Sequence, residues 1–597
     1  MRVVDYIVDR LYTEGGKDVF MLTGGGMMFL SDAVAVHPKM KAVCNHHEQA
    51  CAMAAVGYAK YSEGIGVCFT STGCGATNAM TGLLDAWQDN VPVVFVSGQV
   101  KKKETTYNAD LPLRQIGTQE ANIIELVTPI TKYAVMVNEP EEIAYHIEKA
   151  LYLAQSGRPG PVWIDVPMDV QGAIIDPKKL KKFDPKELER NYVTIPTAPD
   201  LLKLEKLVNA AKRPVIIAGQ GIRLSGALKE FKQLIDTHKI PVVSPYLGVG
   251  TLPTNHPSYI GVIGTKGSRA GNLAMQNADL IIVLGSRLSV TAIGYEYDLF
   301  AREAKKVVVD IDPVEHKKPI VKIDLFINAD IKEFLKKWKP KKIGLTSEWV
   351  KITLDWKRRY PVCLPEYRTK KKFVSMYHFI DTLSRIMSKD AVVVSDAGSS
   401  FYVTTQTINL KDGQRYLTSG GQADMGFTLP ATIGASVAKG YKEAYGITGD
   451  GSFQLNIQEL QTIVHNQLPV KIFVLNNNGY LSIRATQTKF FEGRLIGTDG
   501  TSGVSMPNIK KIASAYGIKY AKFGSSKTLE SDLKKQLTYK GPMLCEVICE
   551  PNEAVVPSAA SMKRDDGRMV SRPLEDMLPF LDRDEYRANM IVTPVDD

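Results

Sequence analysis

The chemistry available to this chain centres on Asp450 and Asn477, which stand 27 residues apart. Asp450 lies in Gly449-Asp450-Gly451-Ser452, and Asn477 closes the pair Asn476-Asn477. The pattern between them predicts a helix from Gln454 to Asn466 and a strand from Val470 to Leu475. A strand, turn, helix and second strand of this length bring both loops to one edge of a sheet. A carboxylate and an amide oxygen then converge, and such hard donors suit Mg²⁺ or Ca²⁺. Gly449, Gly451 and Ser452 are small enough for a diphosphate to reach backbone N–H groups at a helix start. A plain βαβ unit with a turn aspartate would also show Gly-Asp-Gly. The double asparagine at this separation is what points to a metal-bound diphosphate.

The elements that must hold these residues form a repeated pattern. From Met1 to Ile175, predicted strands at Asp18–Leu22, Lys41–Cys44, Gly66–Thr70 and Pro92–Ser97 alternate with helices. They feed the loops Thr23-Gly24-Gly25-Gly26, Asn45-His46-His47-Glu48 and Ser71-Thr72-Gly73-Cys74-Gly75-Ala76-Thr77-Asn78. That alternation predicts a doubly wound parallel sheet, with ligands at the carboxyl ends of its strands. A Pro- and Lys-bearing linker spans Asp176 to about Asp200, and a second α/β domain covers 190–345. Its predicted strands are Pro214–Ala218, Ile281–Gly285 and Lys306–Asp310, with Gly219-x-Gly221 after the first. A Lys/Arg/Pro-rich stretch, Lys337 to about Lys372, reads as a second linker. The third domain, 370–556, holds a predicted helix near Ser375–Ser388, a strand Ala391–Ser395, the loop Asp396-Ala397-Gly398-Ser399-Ser400, and the Asp450–Asn477 unit. A polar tail covers 557–597. The first and third domains share their pattern, as an old duplication would leave.

Composition narrows the class. With 44% hydrophobic and 23% charged residues, the 597-residue chain reads as a soluble globular protein. Its net charge of +10 is spread along the chain, and the short lysine clusters read as solvated faces and not as a nucleic-acid site. No apolar run approaches the roughly 20 residues of a membrane span, and the N-terminus reads as an amphipathic helix. Seven cysteines without a C-x-x-C spacing argue against a disulfide framework or a zinc site, and fit a reducing cytoplasm.

To about residue 555 the chain resembles the acetohydroxyacid (acetolactate) synthase branch of the thiamine diphosphate (ThDP) superfamily. The matching runs include His47-Glu48-Gln49, Thr72-Gly73-x-Gly75-Ala76-Thr77-Asn78, Gly98-Gln99-Val100, Ile116-Gly117-Thr118-Gln119-Glu120, Pro129-Ile130-Thr131-Lys132, Gly285-Ser286-Arg287, Leu417-Thr418-Ser419-Gly420-Gly421 and Met425-Gly426-Phe427. The resemblance implies three domains, binding the pyrimidine, a flavin-type nucleotide and the diphosphate in turn. It implies that Glu48 holds the aminopyrimidine and promotes loss of the thiazolium C2 proton, and that Gln119 lies near the reacting carbons. Gly25, Gly73, Gly75, Asn78, Gly398, Ser399, Gly449, Gly451 and Ser452 fall where ThDP is held, and Met425 matches the apolar wedge that bends it. Asp450, Asn477 and the carbonyl of Gly479 match the Mg²⁺ ligands. FAD is implied by Gly219, Gly221, Arg223, Thr265, Lys266, Arg287, Asp310 and Asp312, although it has no redox task in acetolactate formation. Because the family's glutamate faces the diphosphate site of another subunit, the resemblance implies a homodimer or homotetramer. His46 and His47 read as helix-start histidines.

Three departures bear on the acceptor. The synthases carry Phe where Thr118 stands, Trp where Thr486 stands, and Met-His where Thr265-Lys266 stands. A further departure bears on the flavin and not on the acceptor: the family's Phe-Asp-Asp-Arg run after Arg287 is replaced by Leu288-Ser289-Val290-Thr291. A pocket with hydroxyls in place of aromatic walls accepts a larger, more polar partner, and Thr118, Lys132 and Thr486 are the expected acceptor residues. The tail run Asp566–Met577 resembles thiamine flavoenzymes that act on nucleotide-linked keto-sugars. The first expectation is therefore a carboligase that decarboxylates pyruvate and transfers the two-carbon unit to a keto-sugar. The alternatives are acetolactate synthase itself, supported by Arg287 as a match to an arginine associated with the acceptor carboxylate, a flavin-dependent 2-keto-acid oxidase, and a non-enzymatic paralogue. Intact Glu48, Asp450 and Asn477 argue against the last.

Overall fold

The computed structural model describes residues 1–109, 111–188, 194–370, 372–563 and 568–595. It contains three six-stranded, wholly parallel sheets. The first comprises β1 (Asp18–Met21), β2 (Lys41–Cys44), β3 (Gly66–Thr70), β4 (Val93–Gln99), β5 (Tyr133–Met136) and β6 (Val162–Pro167), ordered β2-β1-β3-β4-β6-β5. The second comprises β7 (Pro214–Ala218), β8 (Val242–Ser244), β9 (Tyr259–Val262), β10 (Leu280–Leu284), β11 (Lys305–Asp310) and β12 (Leu325–Asn328), ordered β12-β11-β10-β7-β8-β9. The third comprises β13 (Val392–Ser395), β14 (Arg415–Thr418), β15 (Tyr445–Gly449), β16 (Lys471–Asn476), β17 (Lys519–Phe523) and β18 (Met543–Ile548), ordered β14-β13-β15-β16-β18-β17. Central strands such as Val-Val-Phe-Val in β4 and Leu-Ile-Ile-Val-Leu in β10 are apolar on both faces because helices cover both faces. Counted from its own first strand, the third sheet repeats the order of the first. The central sheet has the dinucleotide-fold order, whose crevice opens between β7 and β10.

The first and third domains meet through helices Glu48–Ser62 and Thr428–Ala438, which cross at bare backbone. A Cβ on Gly57 would stand 2.4 Å from the Ala431 oxygen, and one on Gly434 would stand 1.9 Å from the Ala54 oxygen. Lys60 lies buried at this junction, with its ammonium 2.6 Å from Asp89 and 2.7 Å from the Thr418 carbonyl. Asp89 in turn accepts the amides of Gly420 and Gly421. All three domains are tied by Glu63, which receives Arg223 at 2.7 Å and Arg415 at 2.8 Å.

The structure corrects three expectations about elements. The helix expected at Gln454–Asn466 is a 3₁₀ turn, Ser452–Asn456, followed by a shorter helix, Glu459–His465. The stretch expected as a linker after Lys337 contains the 13-residue helix Ser347–Arg359, which buries Trp349 and Trp356 against the central domain. The polar tail is docked. Leu574, Met577 and Val592 are buried, Glu575 pairs with Arg302, and Asn589 accepts the Trp356 indole N–H at 2.8 Å. Asp566 and Gly567 of the tail run, and 189–193 of the first linker, lie outside the described residues. Among the described residues no helix is long and apolar enough to cross a membrane.

Candidate active site

In the third sheet the chain reverses direction of winding between β13 and β15, and two loops leave the carboxyl ends of these strands side by side. Asp396, fully buried, laces them together: it accepts Ala397 N at 2.8 Å, Ser452 Oγ at 2.6 Å and Thr448 Oγ1 at 2.8 Å. Helix Gly398–Thr407 starts here, with no side-chain cap on its first amides. Asp450 accepts the amides of Gly451 and Gly479, each at 2.9 Å. Burial raises its pKa to about 6, against the pull of those amides. Asn477 Oδ1 is buried and, among the described residues, has no hydrogen-bond partner. A buried acceptor left bare costs about 1–3 kcal/mol, and a hard cation held with Asp450 would satisfy it. The donor set therefore fits Mg²⁺. Gly479 must be glycine, since its φ is +128° and a Cβ would lie 2.1 Å from the Thr498 oxygen. Gly451 is covered by the Tyr480 ring, 2.2 Å from where a Cβ would stand. Met425 is half-buried beside these loops, and the next amide, Gly426 N, donates to Ser452 Oγ at 2.8 Å.

In the first domain, the loops after β1 and β3 adjoin each other, and Glu48 begins the helix that follows β2. His47 caps that helix, its ring accepting Gln49 N at 3.2 Å. The Glu48 carboxylate is buried, 3.0 Å from Asn78 Nδ2, and a Cβ on Gly75 would come within 3.2 Å of it. Gly73, at φ +61°, leaves room for the Gln119 carbonyl, 1.9 Å from where its Cβ would stand. Gln119 itself has φ +62°, and its loop is pinned by Glu120, which accepts Thr106 N, Thr106 Oγ1 and Ile116 N. Thr118 and Gln119 are exposed, as is Gly25. Asn45 and His46 N are held by the buried Glu459 of the third domain, at 2.7 and 3.0 Å. Among the described residues no hydrogen bond joins Glu48 to Asp450, Asn477 or Gly479 of the same chain.

The central crevice lies where the topology requires. Gly219 and Gly221 press against Gly285, with Cβ positions 2.1 Å from its oxygen and 2.7 Å from its Cα. Beside them opens a cleft lined by Gln220, Gly221, Ser286, Arg287, Thr291 and Asp310. The glycine-lined crevice and its acidic edge fit the nucleotide half of FAD. Asp310 faces His316 at 3.2 Å, whereas Asp312 and Glu315 pair with Arg158 of the first domain. Arg223 is spent on Glu63 and the Gly250 carbonyl. Thr265 and Lys266 bond two residues that line the cleft: Thr265 N donates to the Thr291 carbonyl at 2.8 Å and Lys266 N to the Tyr246 hydroxyl at 3.1 Å, while Thr265 O accepts Ala559 N at 2.7 Å. Among the described residues no hydrogen bond joins any two of the three expected acceptor residues. Lys132 donates to the carbonyls of Ser156 and Arg158 and lines a cleft with Arg287 and Asp312. Thr486 is exposed on helix Leu481–Phe490, whose Ser482 lies against Gly398.

Sequence reasoning missed Asp396, Glu459 and Arg158 as organisers. Each acts on residues dozens to hundreds of positions away, so no local spacing marks them.

Three family models match: the N-terminal TPP-binding domain of thiamine pyrophosphate enzymes over 1–126, their central domain over 201–338, and their C-terminal TPP-binding domain over 396–547. These fix the class as a three-domain ThDP enzyme. The chain is 35% identical over 558 residues to an acetolactate synthase large subunit of Lactococcus lactis, covering 92% of this chain and 93% of that protein. It is 32% identical over 560 residues to the acetolactate synthase isozyme 1 large subunit of Escherichia coli, covering 93% and 95%. It is 33% identical over 576 residues to a probable acetolactate synthase large subunit of Methanocaldococcus jannaschii, covering 93% of each. The chain belongs to the acetolactate synthase-like family of ThDP-dependent carboligases.

Proposed function

We propose that this protein decarboxylates pyruvate and joins the resulting two-carbon unit to a second 2-oxo acid, with pyruvate itself as the first acceptor to test. The names of the relatives favour this reading over the keto-sugar acceptor expected from the pocket. The observation that carries it is the Asp450 carboxylate, bonded to the Gly479 amide, with the unpartnered Asn477 oxygen at the end of the adjacent strand, together with Glu48 buried and oriented by Asn78. Asp450, Asn477 and the Gly479 carbonyl would hold Mg²⁺; Gly398, Ser399, Gly451 and Ser452 would hold the diphosphate; Met425 would bend the cofactor. Bound ThDP supplies the electron sink that decarboxylation of a 2-oxo acid requires. Glu48 would carry the proton exchange at the pyrimidine ring, and Gln119 would orient the carbonyl under attack. Among the described residues no hydrogen bond joins Glu48 to Asp450, which supports a homodimer or homotetramer whose sites combine two subunits. The central crevice supports FAD as a further cofactor, held by Gly219, Gly221, Arg287 and Asp310.

The keto-sugar reading is retained as second, because Thr118 and Thr486 are both exposed hydroxyls at positions matched to aromatic residues of the synthases. Incubation with pyruvate, ThDP and Mg²⁺ separates the two. Acetolactate accumulating in step with CO₂ supports the first reading. CO₂ released only after a keto-sugar is added would replace it with the second.

A further inference from the structure

The carboxylate of a 2-oxo acid acceptor, or the phosphate of a sugar acceptor, needs a cation; Arg287 is one by resemblance, and Thr265-Lys266, where the synthases carry Met-His, adds a second. Lys266 is a half-buried ammonium whose sole hydrogen bond among the described residues is a long one, 3.4 Å to the Val555 carbonyl. No ion pair with a carboxylate is found for it there. Burial, with Lys489 nearby adding like charge, draws its pKa down to about 8. A cation so placed is costly unless something anionic joins it.

Its surroundings tie it to the reacting end. The Lys266 amide donates to Tyr246, whose ring packs edge-on against Phe401 and Tyr402 at 5.2 and 6.0 Å between centroids. Those two rings belong to helix Gly398–Thr407, the expected diphosphate cradle. Lys489 is on helix Leu481–Phe490, three residues beyond Thr486 and therefore on the same helical face. Thr291, which stands where the arginine of the missing run was expected, is adjacent: its carbonyl accepts Thr265 N at 2.8 Å.

We propose that Lys266, seconded by Lys489, forms the anion subsite that receives the acceptor's carboxylate or phosphate, a role separate from flavin binding. The proposal rests on the carboligase reading for its place in turnover, but anion binding at Lys266 is measurable without turnover.

Two measurements on the holoenzyme, with ThDP and Mg²⁺, test it. In the first, pyruvate is the donor and two acceptors are compared, charged 2-oxobutyrate and neutral acetaldehyde. Lys266→Met raises KM for the charged acceptor about tenfold or more relative to the neutral one, as expected for loss of a charged hydrogen bond. Lys266→Arg restores most of the difference. Equal changes for both acceptors, or none, overturn the proposal. In the second, acetylation of the Lys266 amine by an N-hydroxysuccinimide ester is followed by mass spectrometry. Protection by 2-oxobutyrate assigns the carboxylate, protection by inorganic pyrophosphate at lower concentration assigns a phosphate, and protection by neither overturns the subsite. Failure of pyruvate to yield CO₂ would sink the carboligase reading and leave the labelling result standing.

Discussion

Asp450 and Asn477 illustrate what residue type and spacing convey. A glycine-flanked carboxylate and a double asparagine, each at a strand end, are legible because the partners of a metal must be oxygen donors on adjacent strands, and β15 pairs with β16. Asn477→Ala removes the orphaned acceptor, so the Mg²⁺ concentration for half-maximal activity is expected to rise while the melting temperature in the absence of metal holds or increases; a metal titration of both proteins checks this. Glu48 was legible only through the family resemblance, since a carboxylate at a helix start is ordinary. Glu48→Gln keeps the Asn78 contact possible but removes the proton exchange, so C2 hydrogen–deuterium exchange of bound ThDP is expected to slow by about 10²–10⁴-fold, read by acid quench and NMR. Exchange at the wild-type rate would remove Glu48 from the mechanism. Asp396 and Glu459 were not legible at this scale, because their partners Ser452, Asn45 and His46 are remote in sequence.

Nine of the eighteen strands in the three sheets were read from the sequence, each to within two residues, because apolar runs bounded by glycine loops have few other solutions in a parallel sheet. The helix Ser347–Arg359 was not, since its exposed face is Lys- and Arg-rich and only Trp349, Thr353 and Trp356 are buried. The loops that carry Gly73 and Gln119 depend on a buried chain at the end of β4: Thr72 to Gln99 at 2.6 Å, Gln99 to Asp165 at 3.1 Å and Ser97 to Asp165 at 2.5 Å. Burial outweighs these donors and lifts the Asp165 pKa to about 7. The folded protein then holds a proton that the unfolded chain has already lost, so stability falls as pH rises from the unfolded carboxylate range to about 7. Asp165→Asn should flatten that decline, seen as a smaller difference in melting temperature between pH 5 and pH 8; an undiminished slope would place the titration elsewhere. The helix crossing makes a second demand. Gly434→Val drives a side chain into the Ala54 carbonyl, and a loss of about 1–3 kcal/mol or more is expected in denaturant unfolding.

Across the molecule, three sheets are joined by buried charge and by a tail that returns to the middle. The duplicated strand order of the first and third sheets was foreseen as a shared pattern, whereas the docking of the tail was not, because its polar composition hides isolated anchors such as Leu574 and Met577. Truncation after residue 568 should expose the Trp356 edge and lower the melting temperature, each lost apolar anchor removing about 1.5–3 kcal/mol; a truncated chain as stable as the intact one would make the docking incidental. The central claim, ThDP-dependent carboligation, is tested by adding pyruvate labelled with ¹³C at its carboxyl carbon to the cofactor-stripped protein. Labelled CO₂ and ligated product are followed by NMR as ThDP and Mg²⁺ are restored. The expected result is no release until both are present, and then CO₂ and ligated product in equal amounts. Release without ThDP, or CO₂ accompanied by peroxide in place of a ligated product, would contradict it.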